Sequence, residues 1–476
     1  MKIDEALELG GARPQATSSG AKAALFAVGE REAPASEAPA PVASSPGAEG
    51  LRDGAAKVIA SQVGLGLAGL ASLPVLTRQL GAAAYGEFSL FVTLVGLVTY
   101  LDVARQLLIR EEASAEVGVR ERVGVARVSM LWITALASVV GLVALPIGAA
   151  AALTVAAALH GSASRDFASL SASGRVGYAN GARNWAWAGA FLTCAALCLL
   201  GSPTWALAWP FVGANLALAL LYRRALPKQE PCVGAIAALR HSPAAARLRR
   251  AGLDLLGFSL AAGAITVLDR VLLDELIGGE AFGVYCGAAD VAMRLHIVGS
   301  ALAAALFPHL ARELRERGYE HAARRFVSVA SVTACLYFAG LALGIAIAPA
   351  VLPLLLGESF SASTPIFIAL LVVLYLHSFG FLATPWQRAQ GDFCSQRRAY
   401  TLAMVLMVAV GLFAIPRWGA WGAVVAFAAA RTAELQLVAV EALRMPREVL
   451  PRWKLAAATL MFASLAALGA WRVWEA

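Results

Sequence analysis

The sequence predicts an all-α, polytopic membrane protein, and three observations lead there. Hydrophobic residues make up 59% of the chain and charged ones 15%, with a mean hydropathy of +0.69. An ordinary soluble domain carries about a quarter of its residues as charges. The apolar residues come in unbroken runs, many reaching the roughly 20 residues that a helix needs to cross a hydrocarbon core of about 30 Å. Lysine and arginine concentrate in alternate connections between those runs, the bias of cytoplasmic loops. Runs without alternation exclude a β-barrel. Lipid offers no partner to a free amide, so the spanning element is the helix.

Residues 1–50 stand apart. APASEAPAPVASSPGAEG (33–50) is rich in Ala, Pro, Ser and Gly, a composition that buries too little apolar surface to offset ordering. The segment reads as a disordered cytoplasmic tail. It is not a signal peptide, because the apolar patch at 21–29 is short and acidic residues precede it.

About 13 spans follow: 55–75, 87–107, 126–145, 146–160, 185–200, 206–222, 253–273, 287–308, 326–356, 365–386, 399–415, 421–443 and 455–474. The fourth is the shortest. The ninth is too long for one straight crossing, and Pro349 and Pro353 are expected to break it. With the N-terminus in the cytoplasm, the inner connections carry 5, 3, 7, 5, 3 and 4 Lys plus Arg, whereas the outer segments carry only Arg78, Arg417 and Arg472. The net charge of +8 is thereby explained as topology, and no nucleic-acid partner is implied. Trp185, Trp205, Trp386, Trp418, Trp421, Trp453 and Trp474 fall near the proposed helix ends, where an amphipathic ring favours the headgroup region. Six scattered cysteines form no ligand pattern; Cys194 and Cys198, one helical turn apart, read as packing residues.

Two stretches repeat. RQLGAAAYGEF (78–88) and ELIGGEAFGVY (275–285) align at an offset of 197, matching Gly81 with Gly278, Gly86 with Gly283 and Tyr85 with Phe282. The glycines permit a tight reversal, and the aromatics are expected to anchor at the interface. The offset contains six proposed crossings, so both copies point the same way, as in a parallel repeat about an axis along the membrane normal. The expected organisation is therefore an N-lobe at 51–224, a basic inter-lobe loop at 225–250, a C-lobe at 251–446 and an extra helix at 447–476. Two such lobes argue for a transporter with a cavity between them.

LDRVLLDELIGGEAFGVYCGAADVAMRL (268–295), ALFPHLARE (305–313) and LPVLTRQLGAAAYGEFSLF (73–91) resemble the bacterial polysaccharide repeat-unit flippases of O-antigen, capsule and exopolysaccharide synthesis. That family shares a superfamily, MOP, with the MATE drug exporters and the lipid II flippases. The resemblance covers roughly residues 55–443. It implies 12 or 14 helices in two six-helix lobes, a cationic cavity, and an undecaprenyl-pyrophosphate-linked oligosaccharide as substrate. It also implies the bacterial inner membrane as location, with a polymerase and glycosyltransferases as possible partners.

Three arginines lie inside spans: Arg270, Arg294 and Arg431. An ionisable group there costs at least ~2.5 kcal/mol and normally faces a cavity or a partner. Asp269 adjoins Arg270, Asp290 precedes Arg294 by four residues, and Glu434 follows Arg431 by three. Two readings are open. Arg294–Asp290 and Arg431–Glu434 could be structural ion pairs, since each shares a helix face. Alternatively the arginines line a cavity and bind pyrophosphate through their planar forks; Arg270, near a span end, could instead snorkel to water. Asp102 and Arg105 are expected to pair. His296, His309 and His377 are packed histidines or members of a proton relay.

There is no Walker loop, no acidic cluster with metal spacing and no nucleophile motif; no enzyme activity, cofactor or metal is expected. Two rival functions stand beside the flippase. One is a MATE-like cation-coupled exporter, against which the absence of any acid in 55–75 speaks. The other is a scaffold of a polysaccharide assembly complex, against which the interior charges speak.

Overall fold

The computed structural model describes residues 48–102, 119–173, 175–226, 255–390, 392–446 and 449–475. The readings of a disordered tail and of the basic loop, together with Arg105 and the side chains of His296 and His309, lie outside them. Within the described residues the chain is helical, with no strand.

The first half of the chain contains α1 (Ala48–Leu101), α2 (Val119–Ala144), α3 (Ile147–Ala172), α4 (Val176–Leu199) and α5 (Trp209–Ala225). The second half contains α6 (Leu255–Ile265), α7 (Leu268–Leu276), α8 (Gly279–Glu316), α9 (Tyr319–Leu356), α10 (Ser363–Gln390), α11 (Phe393–Trp418), α12 (Ala420–Arg444) and α13 (Arg452–Glu475). Contacts within each half are extensive, and between halves they run chiefly through α1, which packs along α8. One apolar core extends through both. Outside it, Leu142, Val143, Ile147 and Leu200 stand 71–84% exposed. Large aliphatic side chains exposed to that degree face lipid rather than water.

Eight helices among the described residues are long and apolar enough to cross a membrane, or nine when α6 and α7, bent by 46°, count as one span. The expected crossings at α4, α8 and α12 fall outside that number, and those at 55–75 and 87–107 count together within α1, which kinks at Gly81. These helices carry Asn180, Arg183 and Asn184, then Asp290 and Arg294, then Arg431 and Glu434, so polar residues lower their hydropathy. The span expected at 146–160 is longer than foreseen, continuing to Ala172. Pro349 and Pro353 do not break α9, which runs on to Leu356. Each forfeits one intrahelical bond, and neighbouring helices support proline in a membrane interior.

The two repeat copies share a backbone device. Gly81 interrupts α1 at φ 72° and ψ 175°, and Gly278 precedes α8 at φ 63° and ψ −164°. A side chain is disfavoured at these φ values. The aromatics of the repeat do not sit at an interface as expected. Tyr85, Phe88, Phe282 and Tyr285 are all buried, because the two copies pack against the opposite half of the protein. Trp386 likewise departs from an interfacial belt. It is wholly buried, stacked on Phe326 at 5.2 Å with Tyr319 edge-on at 5.5 Å, whereas Trp185, Trp205, Trp418 and Trp453 are exposed. Cys194 and Cys198 are free thiols in the core.

Candidate functional site

The repeat loops bring the two halves together at one end of the bundle. An ideal Cβ on Gly283 would stand 1.8 Å from the Ala82 carbonyl oxygen, and one on Gly86 would stand 3.2 Å from the Gly283 Cα. The second glycine of each copy thus permits backbone to approach backbone. Around this contact, Tyr85 meets Phe360 edge-on at 5.8 Å, and Arg78 donates to the Leu354 carbonyl at 2.9 Å.

One turn deeper a polar network crosses between the halves. Asp290 of α8 accepts from the Tyr85 hydroxyl at 2.6 Å and from Ser89 Oγ at 2.7 Å. Its other oxygen accepts from Arg270 Nη2 at 2.7 Å. Arg270 Nη1 reaches across to the Ser89 carbonyl at 3.1 Å and to the hydroxyls of Ser89 and Thr93. Arg270 therefore does not snorkel: it is buried, and each terminal nitrogen has an acceptor. Beside it, Asp269 accepts from the Tyr285 hydroxyl at 2.6 Å.

This network corrects one pairing. Asp290 bonds to Arg270 rather than to Arg294, four residues further along its own helix. The break between α6 and α7 re-aims Arg270 toward α1 and α8, where it takes the carboxylate. Among the described residues no carboxylate forms an ion pair with Arg294. Its guanidinium lies over the Phe191 ring at 4.3 Å. It also lies against Gly69, where a Cβ would come within 2.4 Å of Nη1. Arg294 and Asp290 line one side of a cleft of about 230 Å3 of empty space, whose remaining wall includes Ser72, Tyr85, Phe88 and Val92. Only about 10 Å3 of it is open to the centre of a water molecule, so the cleft is nearly closed.

Arg431 of α12 forms the expected pair with Glu434. Glu434 is fully buried and also meets His377 Nδ1 of α10 at 2.8 Å. Arg431 lies over Phe427 at 4.5 Å. In the first half, Asp102 is buried, accepts from Ser164 Oγ at 2.5 Å and lies 3.2 Å from His160 Nε2. These residues, with Arg183, Asn215 and Tyr222, line a second narrow cleft. Among the described residues no group of three His, Cys, Asp or Glu is placed to hold a metal ion.

Sequence reasoning missed Tyr85, Ser89 and Thr93 as network members, although a signal was present. They recur every four residues along α1, which places them on one face. His160 and Ser164 show the same spacing. Phe191 and Gly69 gave no signal, since an aromatic and a glycine in apolar runs are ordinary packing residues.

A family model described as "Polysaccharide biosynthesis protein" matches residues 185–365. No curated protein sequence matches the chain at a significant level. Among solved structures, the lipid II flippase MurJ in an inward closed conformation superposes with a TM-score of 0.66 at 10% identity, covering 88% of this chain and 97% of that one. A MATE transporter in a bent conformation gives 0.56 at 16% identity, covering 89% and 99%. A MOP-superfamily transporter from Pyrococcus furiosus, described as having a binding pocket of reversed polarity, gives 0.53 at 13% identity, covering 89% and 99%. The chain has the fold of the MOP exporter superfamily.

Proposed function

We propose that the chain is a flippase that carries an undecaprenyl-pyrophosphate-linked oligosaccharide across the bacterial inner membrane by alternating access. The observation that carries this reading is Arg294. Two of the three interior arginines have carboxylate partners, Arg270 with Asp290 and Arg431 with Glu434. Arg294 has none among the described residues, and it faces a cleft between the two halves. A guanidinium there with no carboxylate in ion-pair contact is free to take an anion that comes and goes, and its fork suits phosphate oxygens. The matched polysaccharide-biosynthesis family and the MurJ-like fold support a lipid-linked sugar as the cargo.

In this reading the two halves are the lobes at 51–224 and 251–446, the N-terminus is cytoplasmic, and the repeat loops face outward. The cleft is too small for an oligosaccharide, so the lobes part to admit one. A polymerase and glycosyltransferases are the natural neighbours of such a carrier. Arg294→Ala should abolish polysaccharide export while the protein still accumulates in the membrane, and Arg294→Lys should restore part of it, because a point charge lacks the fork. Full export from Arg294→Ala would overturn the reading.

A second reading has one observation in its favour. The buried Asp102–His160–Ser164 cluster in its own cleft is a site at which a cation-coupled drug exporter could exchange an ion. Raised drug susceptibility in a deletion strain, with polysaccharide export intact, would favour it.

A further inference from the structure

Asp290 occupies two structures at once. It is the shared acceptor of the cross-half network, and it is part of the wall of the Arg294 cleft. Tyr85 and Ser89, from the first half, hold one carboxylate oxygen. Arg270, from the second half, holds the other and reaches back to Ser89 and Thr93. Withdrawal of this one carboxylate would remove the acceptor of two hydroxyls from the opposite half and the only counter-charge paired with Arg270 among the described residues.

We infer that Asp290 couples anion binding at Arg294 to release of the contact between the halves. The inference rests on the anion-binding role proposed above for Arg294. A phosphate drawn to Arg294 enters the cleft that Asp290 lines, one helical turn away. In a site shielded from water, like charges this close repel strongly. The phosphate also offers the Arg270 guanidinium a second acceptor. Both effects loosen the carboxylate from Tyr85, Ser89 and Arg270. The empty carrier thus stays latched, and the loaded one opens at the repeat-loop end. Asp290 is a positioning residue in this scheme: it acts on the gate through Arg270 and the two hydroxyls.

The chain supplies its own reporter. Cys286 is a free thiol, 0% exposed, one turn before Asp290 and beside Ser89, Arg270 and Asp290. The full chain, with Cys194, Cys198, Cys232, Cys335 and Cys394 replaced by alanine, is reconstituted in phosphatidylethanolamine–phosphatidylglycerol vesicles. The rate of maleimide labelling at Cys286 is then measured with and without undecaprenyl pyrophosphate, and binding is followed separately by tryptophan fluorescence. The lipid should raise the labelling rate at least tenfold. Asp290→Asn should label at the raised rate whether or not the lipid is present. Should Asp290→Asn fail to accumulate, Tyr85→Phe with Ser89→Ala, which removes two hydroxyls and no charge, should show the raised basal rate instead.

Inorganic pyrophosphate in place of the lipid separates the sources of the effect. An equal rise shows that the anion alone triggers release, and a rise with the lipid alone shows that its prenyl chain is also required; either rise supports the coupling. Binding of the lipid without any rise would overturn the coupling and leave the substrate reading standing. Absence of binding would sink both. Labelling of Asp290→Asn that stays slow and rises with the lipid as in the parent protein would also overturn it.

Discussion

Replacing Gly283 by alanine tests the account of how the two halves meet. The new Cβ would lie 1.8 Å from the Ala82 carbonyl oxygen, 2.3 Å from its carbon and 3.0 Å from its Cα. Real Cβ contacts do not fall below 3.0 Å, so the backbones must separate by more than about 1 Å before ordinary contact is restored. Neither partner is a flexible side chain, so no rotamer change relieves the clash. Overpacking costs about 1–3 kcal/mol where side chains can adjust, and a contact of backbone on Cβ belongs at the upper end of that range. Gly189 of α4 is the control, because a Cβ there meets nothing within 4 Å. Alanine at such an interior helical position is worth roughly 0.5–1 kcal/mol of stabilisation. The assay is thermal unfolding of the purified chain in detergent, together with polysaccharide export in a deletion strain. Gly283→Ala should lower Tm by at least about 2 °C and impair export, and Gly189→Ala should do neither. Equal stability and export for the two variants would refute the close packing of the repeat loops.

Other outcomes follow from the interior pairs and the packing. Arg431→Ala leaves the buried Glu434 without its guanidinium, against His377, and should cost about 3–5 kcal/mol; adding Glu434→Gln should restore membrane accumulation, and a double variant no better than the single would contradict the pairing. Trp386→Ala removes a wholly buried ring and should cost about 3–5 kcal/mol, read as lost accumulation; an unchanged level would return Trp386 to the interface. Reporter fusions at residues 240 and 315 should read cytoplasmic and fusions at 279 and 357 external, as the alternation of Lys and Arg requires; an external signal at 240 would overturn the orientation.

The helical class was legible because apolar runs and basic connections are local properties of the chain. The repeat was legible for a similar reason. Gly81 and Gly278 mark backbone conformations that few residues other than glycine adopt readily, so the constraint is written at the position that bears it. Partners distant in sequence were not legible. Helical spacing offered Asp290 to Arg294, but spacing states only which side chains share a face. The bend between α6 and α7 decides that Arg270 arrives there first. Trp386 misled for a related reason. Nearness to a helix end suggests an interface, yet Phe326 and Tyr319, some 60 residues earlier, enclose it. The contact between Arg431 and Glu434, one of the two readings open for them, was within reach because both partners lie within one turn of α12.

The most direct measurement is translocation itself. The full chain is reconstituted in vesicles loaded with undecaprenyl-pyrophosphate oligosaccharide. Appearance of the sugar on the opposite leaflet is followed by capture with a lectin that does not cross the membrane. The parent protein should translocate the sugar, Arg294→Ala should not, and Arg294→Lys should do so at a reduced rate. Translocation by Arg294→Ala at the parent rate would contradict the claim that an unpaired arginine in the cleft between the halves grips the pyrophosphate.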